Sequence, residues 1–170
     1  MMTVPLSGAL FSFDRKHRLK LWRHIKQDDV HLIPLGVLFI GLNPSTANET
    51  EDDPTIRRCV GFAKDWGFSM MFMGNLFSYV TSNPKELTVA NCLEYHEQNW
   101  NSLKQMSGDC TRVVYCWGVH GDLHGKGEAI VEFLDPYLLC EPVCFGINKN
   151  GQPRHPLYLP KNAEVIKYAQ

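Results

Sequence analysis

The run GVLFIG, from Gly36 to Gly41, limits most strongly what this chain can fold into. A strand with one wet face alternates apolar and polar residues. A continuous apolar run of this length instead needs cover on both faces, as in a parallel sheet between two helix layers. At Gly41 the run ends, and the polar stretch LNPSTANETEDDP follows. Asn43, Pro44 and Ser45 are turn formers, so a turn leaving the sheet would account for them. They also fall at the carboxyl end of a central strand, where α/β folds collect ligands. Gly41 would let a ligand approach the backbone closely.

The rest of the chain alternates strand and helix patterns. HRLKLW (His17–Trp22) alternates polar and apolar residues and reads as an edge strand. In DPTIRRCVGFAKDWG, Asp53 suits an N-cap and Pro54 the first helical position. Ile56, Cys59, Val60 and Ala63 then share one helical face, and Gly67 suits the stop. Phe68–Phe77 reads as a second buried strand and Thr81–Pro84 as a turn. Leu87–Met106 reads as one long helix, with Leu93, Trp100 and Leu103 on one side. Thr111–Gly118 follows as a third strand and Lys126–Leu134 as a helix with Ile130, Phe133 and Leu134 inward. Leu138–Ile147 reads as a fourth strand, with Pro142 marking a bulge or edge. A turn at Asn148–Pro153, the segment HPLYLP and a short terminal helix complete the pattern. The expected fold is α/β: a three-layer α/β/α sandwich with a mostly parallel central sheet, as one domain over residues 1–170.

Bulk properties narrow the function. With 44% apolar and 21% charged residues, the chain has the composition of a globular protein. Its net charge of −1 gives no general support for duplex DNA binding, although DRKHRLKLWRHIK (Asp14–Lys26) is locally basic. No apolar run is long enough to span a bilayer, so no membrane partner is expected. The start has no basic stretch before an apolar core, which argues against a signal peptide. The six cysteines form no CxxC pair and read as buried free thiols, in keeping with a cytoplasmic location. His120 and His124 flank Asp122 between flexible glycines with no third ligand, so neither a metal nor another cofactor is expected. The chain lacks GxSxG, GxxxxGK[ST] and GxGxxG, which removes the usual signatures of serine hydrolases, P-loop enzymes and dinucleotide-binding dehydrogenases.

Three polar groups fall at or beyond strand ends: Asn43, Asn75 and the turn WGVHGD that contains Gly118. Asn43 carries an amide that can hold a water. Asn75 can anchor a loop, or read a base edge, because one amide supplies a donor and an acceptor. His155, before Pro156, is either a surface turn residue or a donor to a leaving group. Of the adjacent acids, Asp53 reads as a cap and Asp52 as the freer candidate for a general base.

The order of these segments resembles the uracil-DNA glycosylase superfamily. IGLNPST is similar to its first motif, FMGNLFSYVTSNPKEL to its base-reading strand and loop, VVYCWG to a strand ending in Gly, and RHPLYLP to its final His-Pro motif. NPSTA, DDPTIRR and GQPRHPLYL more closely resemble a bacterial domain-of-unknown-function family of short proteins related to that fold. The resemblance covers roughly Phe13 to Pro160. It implies that Asn43 positions an attacking water, that Leu42 and the neighbouring Gly41, Pro44 and Ser45 line a base pocket with Gly118, that Asn75 reads the base, and that His155 supports the departing base. The chain departs from the superfamily at Leu157, where a Ser is usual, and LYLPKN is short for an intercalating loop.

The expected function is therefore hydrolysis of the N-glycosidic bond of a nucleobase, in DNA or a nucleotide. The partner would be a nucleobase-containing ligand, with DNA favoured if the basic segment Arg15–Lys26 flanks the pocket. Two alternatives stand beside this reading: a non-catalytic module that binds a nucleotide or modified base, and a hydrolase of another small substrate that uses Asp52.

Overall fold

A computed structural model of the chain describes residues 6–25 and 36–169. Lys26 and His31 lie outside the described residues. Among the described residues seven strands form one mixed sheet: β1 (Gly8–Phe11), β2 (Arg18–His24), β3 (Gly36–Gly41), β4 (Met70–Asn75), β5 (Arg112–Tyr115), β6 (Val143–Cys144) and β7 (Ile166–Lys167). Their order is β1-β2-β4-β3-β5-β6-β7. The four central strands β4, β3, β5 and β6 are parallel. Antiparallel strands flank them, β1 and β2 on one side and β7 on the other. The sheet is thus mixed, and the expectation of a mostly parallel one holds only for its centre.

The apolar run Gly36–Gly41 forms the middle strand, β3, and every residue of it is buried. Its side chains divide by parity. Val37 and Phe39 join the core beneath helix α1 (Pro54–Asp65), with Ile56, Cys59, Phe62 and Ala63. Leu38 and Ile40 join the opposite core, with Leu103 of α3 (His96–Gly108) and Ile130 and Leu134 of α4 (Lys126–Leu134). Two buried faces on one strand give the sandwich its three layers.

Helix α1 begins as its sequence predicts. The Asp53 carboxylate accepts a hydrogen bond from the Ile56 N–H (2.8 Å), and Pro54 takes the first turn. Such a cap is worth about 1 kcal/mol. Gly67 follows the helix at φ +79°, a left-handed conformation that suits glycine. The predicted helix α4 coincides with its observed bounds.

Four expectations need correction. Strand β2 is internal, because β1 pairs along its outer side. The predicted helix over Leu87–Met106 is two helices, α2 (Val89–Leu93) and α3, broken at Tyr95 with φ +56°. Leu93 is consequently 63% exposed, while Leu103 stays in the core. The fourth strand shortens to Val143–Cys144, and Pro142 lies just before it, where its carbonyl accepts from the Tyr168 N–H (2.9 Å). The chain's last element is β7 rather than a helix, paired with β6.

Candidate functional site

The connections after β3 and β5 run to opposite sides. From β3 the chain passes through α1 to β4; from β5 it passes through α4 to β6 on the other flank. A crevice opens at such a switch point, outside the carboxyl ends of the strands. Here the cleft has a volume of about 460 Å³. Gly41, Leu42, Asn43, Asn75, Gly118 and His155 all line it, together with Ser45 and Asp53. Residues far apart in the chain therefore meet in one cavity of a size usual for small-molecule sites.

The segment from Leu42 to Asp53 is held from beneath by two buried arginines of β2. Arg18 donates through Nη1 to the Ala47 carbonyl (3.0 Å). Arg23 donates through Nη2 to the Asn48 carbonyl (2.7 Å) and through Nε to Asp52 Oδ1 (2.7 Å). From above, the Thr81 N–H donates to the Pro44 carbonyl (2.9 Å). The loop after β3 is thus pinned on both sides.

Asn43 Nδ2 donates to the carbonyls of Pro44 (2.9 Å) and Thr81 (2.7 Å). Two carbonyl partners fix the amide orientation, since only the NH₂ end can serve them. The side chain is left with Oδ1, an acceptor suited to hold a water by its hydrogen. Ser45 and Ser82 share a hydroxyl hydrogen bond (2.7 Å) at the same rim.

Asn75 ends β4 and is 2% exposed. Its carbonyl accepts from Asn99 Nδ2 (3.0 Å), which ties the strand end to α3. Its Oδ1 accepts from Arg18 Nη2 (3.3 Å), and its Nδ2 has no partner. The expected donor-and-acceptor reading edge is therefore altered, because Arg18 engages the acceptor. Gly41 is required beside it: a Cβ there would stand 2.9 Å from Asn75 Nδ2 and 2.7 Å from Met73 Cε.

His155 packs on Gly118, where a Cβ would lie 3.3 Å from His155 Cβ and φ is +78°. Its Nδ1 accepts from the Leu157 N–H (3.3 Å). In the neutral ring the proton then sits on Nε2, which becomes a donor. Burial lowers the pKa of His155 below 6.5, against the opposing pull of the Asp53 carboxylate. The imidazole is thus neutral at pH 7 and able to donate.

Not every predicted site residue lies at the cleft. Asp52 is outside its lining, with its carboxylate paired to Arg23. Pro44 is also outside the lining and serves the loop through its carbonyl. Asp53, read from sequence as a cap, both caps α1 and lines the cleft. Arg18, Thr81, Trp117 and Tyr158 line it too; the sequence reading placed them within the basic segment, the turn at Thr81–Pro84, the turn WGVHGD and the segment HPLYLP, but singled none of them out. Only Asp53 carried a usable signal, since it begins a helix that must start beside the strand end.

Among its described residues, much of the basic segment's charge is paired or buried. Arg15 pairs with Glu49 and Lys16 with Asp14, and Arg18 and Arg23 are buried. Among the described residues no group of three His, Cys, Asp or Glu side chains is placed to hold a metal. None of the helices there is long and apolar enough to cross a membrane.

No curated protein and no solved structure matches the chain. A family model does match, over residues 18–157, a span that takes in every predicted site residue from Gly41 to His155 and also Arg18. The chain belongs to the family described as protein of unknown function (DUF1643).

Proposed function

We propose that this protein is an N-glycosylase-like hydrolase that cuts the bond between a nucleobase and its sugar, in DNA or a nucleotide, on a uracil-DNA glycosylase-like fold. The observation that carries the reading is the meeting of Asn43, Asp53, Asn75 and His155 in one cleft at the switch point of the sheet.

Each group has a part that suits it. Asn43 offers an acceptor to a water, with its amide nitrogen already engaged. Asp53 replaces Asp52 as the acid at the site. It stabilises positive charge on the sugar and takes a proton from the water. Asn75 binds the base. Neutral His155 donates from Nε2 to the base as the glycosidic electron pair moves onto it. The sugar carbon gains the water oxygen, and the base leaves.

The test is base release from uracil-containing, modified and mismatched DNA and from free nucleosides. Asn43→Ala, His155→Ala and Asp53→Asn should each lose about 10²–10³-fold in rate, whereas Asp52→Asn should keep most activity. A dead Asp52→Asn beside an active Asp53→Asn would reverse the assignment of the two acids. Ligand-induced thermal stabilisation without base release would leave a binding module in place of an enzyme.

A further inference from the structure

Arg18 is a second polar side chain buried at the cleft beside Asn75, and no carboxylate pairs with it directly; Asp53, in the same lining, acts on its charge through space. Of the two buried arginines among the described residues, Arg23 pairs with Asp52, while Arg18, 2% exposed, forms no ion pair. Its Nη1 and Nη2 donate to Ala47 and Asn75, and its Nε has no partner. Burial brings its pKa down to about 10, so the group stays charged at neutral pH. Asn75 Nδ2 is unpartnered as well.

These two side chains offer one kind of hydrogen bond. A guanidinium has donors alone, and the Asn75 acceptor is already turned to Arg18. These two side chains therefore bring only N–H groups and a positive charge to the cleft, while its carboxylate comes from Asp53. A buried donor left unsatisfied is costly, and a ligand bringing two acceptors would recover that cost. The walls decide what carries those acceptors. Leu42, Ile56, Met73, Trp117 and Tyr158 line the cleft, an apolar and aromatic surround that suits a flat ring better than a free oxyanion.

We propose that Arg18 and Asn75 recognise an acceptor-only base edge, that the ligand is a 6-oxopurine bound through O6 and N7, and that Arg18 stabilises the charge of the departing base. The O6 and N7 atoms are adjacent acceptors and form the usual partner of an arginine, whereas adenine places an N6–H donor there. The proposal rests on the glycosidic reading given above. In that step the N9–C1′ bond breaks with its electron pair moving to the purine, and C1′ takes the water oxygen. Asp53 accepts the water proton, and the purine anion forms against the Arg18 guanidinium.

Calorimetric titration of the full chain with inosine, adenosine and inorganic phosphate tests this. Inosine should bind about 10–100-fold more tightly than adenosine, the factor expected from one good bidentate contact. Arg18→Met should abolish the preference. Because that change removes a loop contact and risks misfolding, Asn75→Asp provides a second variant of equal shape. It supplies Arg18 with a carboxylate and places an acceptor at the reading edge. Folded Asn75→Asp should lose inosine binding and favour adenosine. Equal affinities for the two nucleosides, no binding of either, or Arg18-dependent binding of phosphate alone would overturn the proposal. Selective inosine binding without hypoxanthine release would refute cleavage and leave recognition standing. Release of bases with no oxo-over-amino preference would refute recognition and leave cleavage standing.

Discussion

At the scale of single residues, His155 links the site to stability through its proton. In the unfolded chain an imidazole titrates near 6.5, and burial lowers that value in the fold. Between the two values the unfolded chain holds more protons, so folding is penalised there. This part of the stability is fully present above pH 6.5 and is lost as the pH falls toward the lowered value. His155→Gln should therefore flatten the acid limb of a urea-unfolding stability curve; curves that run parallel would show that His155 does not titrate this way. His96, lowered by burial and by Lys126, would keep some residual slope. Little of this was legible in the sequence. Asn43 and Asn75 were visible because each follows an apolar run. Arg18 was not, because a charged residue in an alternating strand reads as solvent-facing, and its burial goes with contacts to the distant Ala47 and Asn75. Asp52 and Asp53 differ by one position, and the choice between them depends on Arg23, 29 residues before Asp52 in the pattern of another strand.

At the scale of elements, the close fit of β4 against α3 sets a measurable contrast. A Cβ on Gly74 would lie 2.3 Å from Leu103 Cδ2 and 3.0 Å from Met106 Cε. Gly74→Ala should destabilise the fold by about 1–3 kcal/mol, the range for overpacked cores. Gly61 lies within α1 with nothing within 4 Å of its Cβ position. Gly61→Ala should stabilise by about 0.5–1 kcal/mol through helix propensity. Urea midpoints that move in the same direction for both would contradict this packing. Elements with a regular pattern were readable: β3 from its continuous apolar run, and α1 from its cap and period. The break at Tyr95 was not, because a tyrosine at φ +56° carries no local signal. Its ring packs 4.8 Å from that of buried His17, a tertiary contact that accompanies the break. Strands β6 and β7, two residues each, are too short for a period to register.

At the scale of the whole molecule, the two cores enclose most of the thiols. Cys59, Cys92, Cys110, Cys116 and Cys144 are buried, and Cys140 is half-buried. Burial pushes the Cys92 thiol up to about 11 and those of Cys59, Cys110 and Cys116 higher. A thiol reagent at neutral pH should therefore modify Cys140 first and the others at the rate of unfolding, with all six reacting in denaturant. Rapid native labelling of five or six would show an open core. The layer architecture was legible from strand and helix alternation. The antiparallel additions β1 and β7 were not, since neither has enough length to declare its direction.

The cleft has one more consequence, which concerns time. Its lining draws on Arg18, Asn43, Asn75, Gly118, His155 and Tyr158, so no N-terminal fragment that stops short of them contains it. During synthesis the floor and walls must wait for His155 to leave the ribosome before the cavity can close. Ligand affinity would then report a chain that has reached the His155–Tyr158 segment rather than any shorter folded part.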